Sequence, residues 1–371
     1  MTKRILHIVG RMDRAGAETM IMNLYREIDS SQFQFDFVYF TEERCDFDNE
    51  IEALGGRVIR LKGSNPVCRF WKLYRVLKAG NWPIVHSHML FNIGLNLLAA
   101  KFAGVPVRIA HSHSTSDGNS YSVLGRMYQR VMRWLISWVP TRYVACGQAA
   151  AKYLFPGKEG VEIIPNAVDV EHFTRANGAT TIQELGIADD CMTIVQVGRL
   201  MPVKNYTWSV KIAAALRDAG QEFQMLFVGA GYEQPKIEEE IRALKLEKHI
   251  KLLGLREDIA ELMAAANVML MPSLHEGFPV VLVESQAAGL PAVISSTISS
   301  EVDLGIGLIE FVDLDDSPEM WVTRMQTIVK CSKPSAEARK QFLETHGFSA
   351  KAGAERLMML HLILRLIVII V

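Results

Sequence analysis

Cysteine is sparse. Cys45, Cys68, Cys146, Cys191 and Cys331 are scattered, odd in number and without the paired spacing of a metal site, which argues against a disulfide framework and suits a reducing compartment. The dinucleotide fingerprint is missing too: the first loop reads Gly10-Arg11-Met12-Asp13-Arg14-Ala15-Gly16, not GxGxxG, so a dinucleotide dehydrogenase is disfavoured. No secretory pattern precedes the first apolar run, because Thr2-Lys3-Arg4 leads straight into Ile5–Val9, and a cytoplasmic location is expected. A bilayer-spanning helix needs roughly 20 apolar residues. The longest run, Leu357 to Val371, is shorter and carries His361 and Arg365; it reads as a closing helix, an added membrane contact or an altered terminus. Internal repeats and low-complexity tracts are also missing.

Acid is missing from one long stretch. Between Ala53 and Lys158, Asp117 is the one carboxylate among fifteen cations. The net charge of −1 therefore hides a division: residues 1–175 carry 22 Lys and Arg against 16 Asp and Glu, and residues 176–371 carry 18 against 25. A basic half suits an anionic lipid surface or anionic acceptor. No nucleic-acid partner is expected.

What is present is length and apolar content for about two domains: 371 residues, 49% of them hydrophobic. Strand-like runs at Ile5–Val9, Phe35–Phe40, Val58–Leu61, Ile84–His86, Val107–Ala110, Tyr143–Ala145 and Glu162–Ile164 alternate with helical segments such as Ala17–Ile28. After a polar stretch at Asn177-Gly178-Ala179-Thr180 the alternation resumes at Met192–Val197, Gln224–Val228, Ile250–Leu253, Val268–Met271, Ala292–Ser295 and Leu308–Val312. Strands spaced by helices predict two doubly wound parallel sheets. The expected divisions are 1–176, 181–345 and a closing segment 346–371.

The most informative stretch is His275-Glu276-Gly277-Phe278-Pro279-Val280-Val281-Leu282-Val283-Glu284. An apolar run precedes it, Pro279 suits the first helical position, and Gly289 suits the position after the last. A helix start offers free N–H groups and a positive dipole end, so Gly277 and Phe278 border an anion site. Glu284 lies too deep in the helix to cap it. It can instead accept hydrogen bonds from a ribose diol. After the strand Met192–Val197, Gly198-Arg199-Leu200-Met201-Pro202-Val203-Lys204-Asn205 sets two cations five residues apart, a pattern able to embrace a pyrophosphate.

Two further groups stand out. Ile109-Ala110-His111-Ser112-His113 follows a strand, and alternation puts His111 and His113 on one side; two imidazoles could hold a metal, but no third ligand of suitable spacing follows, so none is expected. Val67 to Lys78 carries Arg69, Lys72 and Arg75 between aromatic and aliphatic residues. From Leu124 onward Arg126, Arg130 and Arg133 share one helical face, and Met127, Val131, Trp134 and Trp138 another. Basic amphipathic helices with tryptophan suit a membrane interface, although such a face can equally be core.

Glu276 and Glu284, with seven residues between them and Gly-Phe-Pro after the first, together with Arg199 and Lys204, resemble the signature of retaining nucleotide-sugar glycosyltransferases of family 4, also called group 1, in the exopolysaccharide and capsule subgroup. The resemblance runs from the Gly16 loop to Gly289. It implies the GT-B fold: two Rossmann-like domains facing across a cleft, with a C-terminal helix returning to the first. Asn166-Ala167-Val168-Asp169 is similar to the Asn-Gly-Val-Asp that ends the family's first domain, with alanine in place of glycine. Gly229-Ala230-Gly231 resembles the Gly-x-Gly beside the nucleotide, and Gly254-Leu255-Arg256 occupies the place where backbone meets the base. The resemblance assigns Gly16, Arg199, Lys204, Gly231, Gly277, Phe278, Pro279 and Glu284 to the donor, and His113 and Glu276 to the transferred sugar; His86, His88 and His111 are expected to be structural.

The implied activity is metal-independent transfer of a hexosyl or N-acetylhexosaminyl group, with retention, from a nucleotide-diphosphate sugar, with uridine favoured, to a lipid-linked or growing glycan at the inner face of the membrane. Two alternatives share the architecture. A nucleotide-sugar epimerase would need acid and base carboxylates that the sequence does not place, and a catalytically silent glycan- or lipid-binding protein would have no need of Arg199, Lys204, Glu276 and Glu284 together.

Overall fold

The structure is a computed structural model that describes residues 2–14, 16–62, 65–115, 122–188 and 191–370, with side chains as far as residue 360. Two compact units divide the chain, one of residues 1–168 and 347–371, the other of 169–346. The stretch 169–180, expected as the end of the first domain and a linker, thus lies in the second unit. There Asp169 accepts a hydrogen bond from the His172 amide to start helix Val170–Arg175, and Gly178 packs against the Ala265 backbone so closely that a Cβ would come within 2.3 Å.

The first unit is built on strands β1 (Lys3–Ile8), β2 (Phe33–Tyr39), β3 (Arg57–Arg60), β4 (Ile84–Ser87), β5 (Val107–Ser112), β6 (Arg142–Ala145) and β7 (Glu162–Ile163), paired in parallel in the order β3-β2-β1-β4-β5-β6-β7. The order reverses beside β1, the arrangement of a doubly wound sheet, whose ligands bind beyond the strands' carboxyl ends. Burial on both faces explains the apolar stretches within β1, β2 and β5. The carboxylate among them is Asp36 on β2. It is fully buried and is held by Arg4, by the Arg57 amide and by the Trp82 indole.

Helix Gly16–Glu27 lays Met20, Ile21 and Leu24 on this sheet, and helix Ala350–Ile370 packs on it in turn, with Ala354, Leu357 and Leu360 in the same core. The closing segment is therefore a helix of the first unit. The contact is close at Gly353, where a Cβ would lie 2.8 Å from Leu24 Cδ2 and 3.2 Å from Ala167 Cβ. Of the three readings of the apolar tail, packing on the first unit accounts for its described beginning; the side chains of 361–371 lie outside the described residues.

The second unit pairs β8 (Met192–Val197), β9 (Phe223–Val228), β10 (Ile250–Gly254), β11 (Val268–Met271), β12 (Ala292–Ser295) and β13 (Ile309–Val312) in the order β10-β9-β8-β11-β12-β13, all parallel. β9 and β11 are buried along their whole length. Trp321 and Met325 of helix Pro318–Ile328 and Val210 and Ala213 of helix Tyr206–Asp218 cover one face. Here too the order reverses beside β8, and the loops after β8 and β11 meet at that point.

Overpacking the helix contact tests the placement of the closing helix. Gly353→Leu should lower stability by roughly 1–3 kcal/mol, read as a fall in the melting temperature, whereas Gly353→Ala should cost less.

Candidate active site

The loop after β8 is fixed by a short relay. Ser209 Oγ donates to Gln196 Oε1 at 2.5 Å, and Gln196 Nε2 donates to the Lys204 carbonyl at 2.9 Å. Asn205, in the left-handed conformation at φ 53°, donates from Nδ2 to the Pro272 carbonyl at 3.1 Å, and the Leu274 amide donates to the Val203 carbonyl at 2.8 Å. The loops after β8 and β11 are thus bound to each other through backbone. Their side chains meet as a consequence: Lys204 Nζ lies 2.7 Å from Glu276 Oε1, with both side chains largely enclosed. Arg199 is exposed and enters no ion pair among the described residues.

The glycines also govern how the loops pack. Gly229 is held at φ 137°, and a Cβ there would come within 2.0 Å of the Gly198 carbonyl; a Cβ at Gly231 would come within 2.2 Å of the Leu200 carbonyl. The loops after β8 and β9 cross backbone against backbone, and only glycine admits that approach. The stem of Lys204 packs over Gly198, with Cε 3.0 Å from where a Cβ would be. Gly254, at φ 65°, ends β10, and its carbonyl accepts from the Gly229 amide.

Helix Val280–Ala288 follows. Pro279 is the residue before its first turn rather than the first helical residue, and no side chain caps that end. A proline there has no N–H, so the amides that open the helix belong to Val280 and its successors. Gly277 and Phe278 lie half-buried in the approach. The other end is closed by two devices: Gly289 at φ 73°, and the buried Arg339, whose Nε donates to the Ala287 carbonyl at 3.0 Å and whose Nη1 donates to the Pro334 carbonyl at 2.6 Å. A cation at the negative end of the dipole favours the helix. Gln286 ties its middle to the Val302 carbonyl and the Leu304 amide. Sequence reasoning missed Gln196, Ser209, Asn205, Gln286 and Arg339.

Glu284 lies on this helix, partly exposed, and burial pushes its carboxyl up to about 7. A carboxylate so placed is ready for donors that a ligand brings.

In the first unit the sheet's carboxyl end holds five histidines. His7 of β1 pairs in register with His86 of β4; His88 follows β4, and His111 and His113 close β5. His7 Nδ1 lies 3.0 Å from His88 Nε2, His88 Nδ1 2.8 Å from His113 Nε2, and His111 Nδ1 3.1 Å from His86 Nε2. The rings of His111 and His113 stack at 4.0 Å, as alternation required. Burial and mutual repulsion hold His88 and His111 well below the ordinary imidazole range, and burial brings His113 down to about 4 against an opposing hydrogen bond from Asn166. His88, His111 and His113 are neutral at physiological pH. The expectation that no third imidazole joins His111 and His113 is corrected: strand adjacency supplies His88, which spacing along the chain could not reveal.

Gly16 is the first residue of its helix and is exposed, while Ala15 before it lies outside the described residues, as does Asp117. On helix Val123–Trp138, Met132, Leu135 and Ile136 face the core, whereas Leu124, Met127, Val131, Trp134 and Trp138 are exposed. The face that could have been core is therefore surface. Arg126 and Arg130 are exposed, but Arg133 departs from them and turns inward over Phe91 and Tyr153, 5.4 and 5.3 Å from the ring centroids. On helix Pro66–Ala79, Trp71 and Arg75 are exposed, Arg69 lies over Phe40 at 5.5 Å, and Lys72 donates to the Lys62 carbonyl. Helix Ile93–Ala103 packs against both. Among the described residues, no helix is long and apolar enough to cross a membrane.

Comparison with known proteins decides the family. The profile "Glycosyltransferase Family 4" matches residues 14–172 and "Glycosyl transferases group 1" matches 179–341. The chain is 39% identical to the putative glycosyltransferase EpsF of Bacillus subtilis (strain 168) over 367 residues, 96% of this chain and 95% of that one. It belongs to the family 4, group 1 glycosyltransferases. An Escherichia coli UDP-Gal:alpha-D-GlcNAc-diphosphoundecaprenol alpha-1,3-galactosyltransferase is 30% identical over 66% of each chain. In fold the chain is similar to Anabaena Alr3699/HepE, solved in complex with UDP and glucose, at 19% identity and a TM-score of 0.79 over 96% of this chain and 98% of that one. That likeness gives the GT-B class.

The raised Glu284 carboxyl has a measurable sign. Its folded value lies above its unfolded one, so the folded state binds the extra proton between pH about 4.5 and 7, and stability falls as pH rises through that window. Glu284→Gln should leave the melting temperature nearly unchanged at pH 4.5 and raise it relative to the native chain at pH 8, by an amount on the order of 1–3 kcal/mol.

Proposed function

We propose that this glycosyltransferase moves a hexosyl or N-acetylhexosaminyl group, with retention, from a UDP-sugar to a lipid-linked or growing glycan of a surface polysaccharide, and that Arg199, Lys204 and the start of helix Val280–Ala288 receive the donor's diphosphate. The observation that carries the reading is the meeting of Lys204 and Glu276 beside a helix start that no side chain caps. The UDP in the Anabaena structure and the UDP-Gal named for the Escherichia coli relative support uridine and a lipid diphosphate acceptor.

In this reading the acceptor hydroxyl attacks the anomeric carbon on the face that the diphosphate leaves. The anomeric C–O bond breaks, the new C–O bond forms, and the departing phosphate oxygen takes the hydroxyl proton, so no dedicated base is required. Charge growing on the diphosphate is met by the Lys204 ammonium, the Arg199 guanidinium and the helix amides, which take the part a divalent cation has elsewhere. Lysine has three donors. Lys204 can therefore keep Glu276 in place while it binds phosphate, and Glu276 and the amides of Gly277 and Phe278 then hold the sugar. Glu284 accepts the ribose hydroxyls. The resemblance assigns His113 to the sugar and Gly16 to the donor.

The exposed face of helix Val123–Trp138, with Arg126, Arg130 and Trp134, and Trp71 and Arg75 of helix Pro66–Ala79 form the surface that would rest on an anionic bilayer. Tryptophan at headgroup depth and arginine toward anionic lipid favour that position. Arg69, Lys72 and Arg133, turned to local partners, contribute less.

Two measurements test the reading. UDP should raise the melting temperature of the purified chain by several degrees at a hundredfold its dissociation constant, about 2.7 kcal/mol, and Arg199→Ala and Glu284→Ala should each remove most of the shift; no shift with any nucleoside diphosphate would overturn the donor site. The chain should sediment with vesicles containing phosphatidylglycerol and not with phosphatidylcholine alone, and Trp134→Ser with Arg126→Glu should release it. Equal sedimentation of that double variant would remove the helix from the membrane surface.

A further inference from the structure

The tripeptides His86-Ser87-His88 and His111-Ser112-His113 are identical and lie on neighbouring parallel strands. Register sets His86 opposite Ile109 and Ser87 opposite Ala110, so the two tripeptides end at the same edge of the sheet. One ring nitrogen from each of His88, His111 and His113 lies within 4.8 Å of the other two.

The partners decide which nitrogens those are. His111 Nδ1 faces His86 at 3.1 Å and His88 Nε2 faces His7 at 3.0 Å, so two of the three rings are held at one nitrogen by a neighbouring imidazole. The nitrogens that converge are His88 Nδ1, His111 Nε2 and His113 Nε2, the first and last of which share a hydrogen bond. Imidazoles that ligate a metal are oriented in this way, with the far nitrogen fixed by a second group. His111 itself is 1% exposed, and its Nε2 has no hydrogen-bond partner among the described residues. A buried nitrogen in that state is costly.

We infer that His88, His111 and His113 form a binding site for one divalent transition metal of the zinc, cobalt or nickel type, with His7 orienting His88 and His86 orienting His111. His88 Nδ1 and His113 Nε2, hydrogen-bonded at 2.8 Å, need part by only about 0.6 Å to reach the spacing of two ligands on one tetrahedral ion about 2.0–2.1 Å away. The three imidazoles are neutral, as coordination requires. All ligands are nitrogen, which suits zinc, copper, cobalt and nickel and offers nothing to magnesium or manganese, whose sites are built from carboxylate, carbonyl and water oxygen. His88 and His113 are partly exposed and give the ion its entry. A second triad, His7, His86 and His88, shares His88, so one ion is expected rather than two.

The site is built wholly from residues of the first unit and does not rest on the transfer reaction. It shares only His113 with the sugar contact proposed above, and its test reads metal rather than turnover. The full-length chain, freed of any affinity tag and stripped with chelator, should take up one equivalent of Co2+ with visible ligand-field bands. Zn2+ should displace the cobalt and raise the melting temperature, and Mg2+ and Mn2+ should do neither. His88→Ala and His111→Ala should abolish uptake, His86→Ala, which frees His111 Nδ1, should weaken it roughly 10- to 100-fold, and His172→Ala, in the other unit, should bind as the native chain does. Should His111→Ala fail to fold, His113→Gln at the partly exposed rim provides the same comparison. Absence of stoichiometric Co2+ or Zn2+ uptake at micromolar concentration, or uptake unchanged in His88→Ala, would overturn the site.

Discussion

The Gln196 carboxamide is the constraint on which the mouth of the second sheet depends. It sits near the end of β8, accepts from Ser209 and donates to the Lys204 carbonyl, and so fixes where the following loop turns. Asn205 then binds that loop to the one after β11. With the two backbones joined, Lys204 and Glu276 have little freedom but to meet, and helix Val280–Ala288 starts at a set distance from both. Buried polar groups that satisfy each other completely specify one arrangement, and here that arrangement sets the mouth of the second sheet.

The same mouth is built with unusually little side-chain bulk. Gly229 and Gly231 let two loops cross where a Cβ would collide with a carbonyl, and Gly198 leaves room for the Lys204 stem. Charge is distributed by the same economy, with Lys204 paired, Arg199 exposed and Arg339 closing the far end of the helix whose near end is left uncapped.

Much of the fold was legible because parallel strands buried on both faces read as apolar runs; Met192–Val197, Val268–Met271 and Ala292–Ser295 fall where their sequence puts them. Pro279 and Gly289 marked the helix within one residue. What stayed hidden depends on partners remote in sequence. Nothing near Gln196 announces Ser209 or the Lys204 carbonyl, and nothing near Arg339 announces Ala287. His88 escaped notice for the same reason, since only the adjacency of β4 and β5 brings it to His111, although the repeated His-Ser-His was available as a signal. Arg133 shares a helical face with Arg126 and Arg130, but periodicity cannot tell that Phe91 and Tyr153 would draw it inward.

The chain leaves the first unit after Val168 and re-enters it at Gly347, and the two passages are bonded to each other: the Val168 amide donates to the Phe348 carbonyl, and the Ala350 amide donates to the Val168 carbonyl. Residues 169–346 are thus an insertion whose ends are clasped side by side by its host. The first unit therefore closes on itself through backbone, and the length of chain between the two halves of the clasp can vary without opening it.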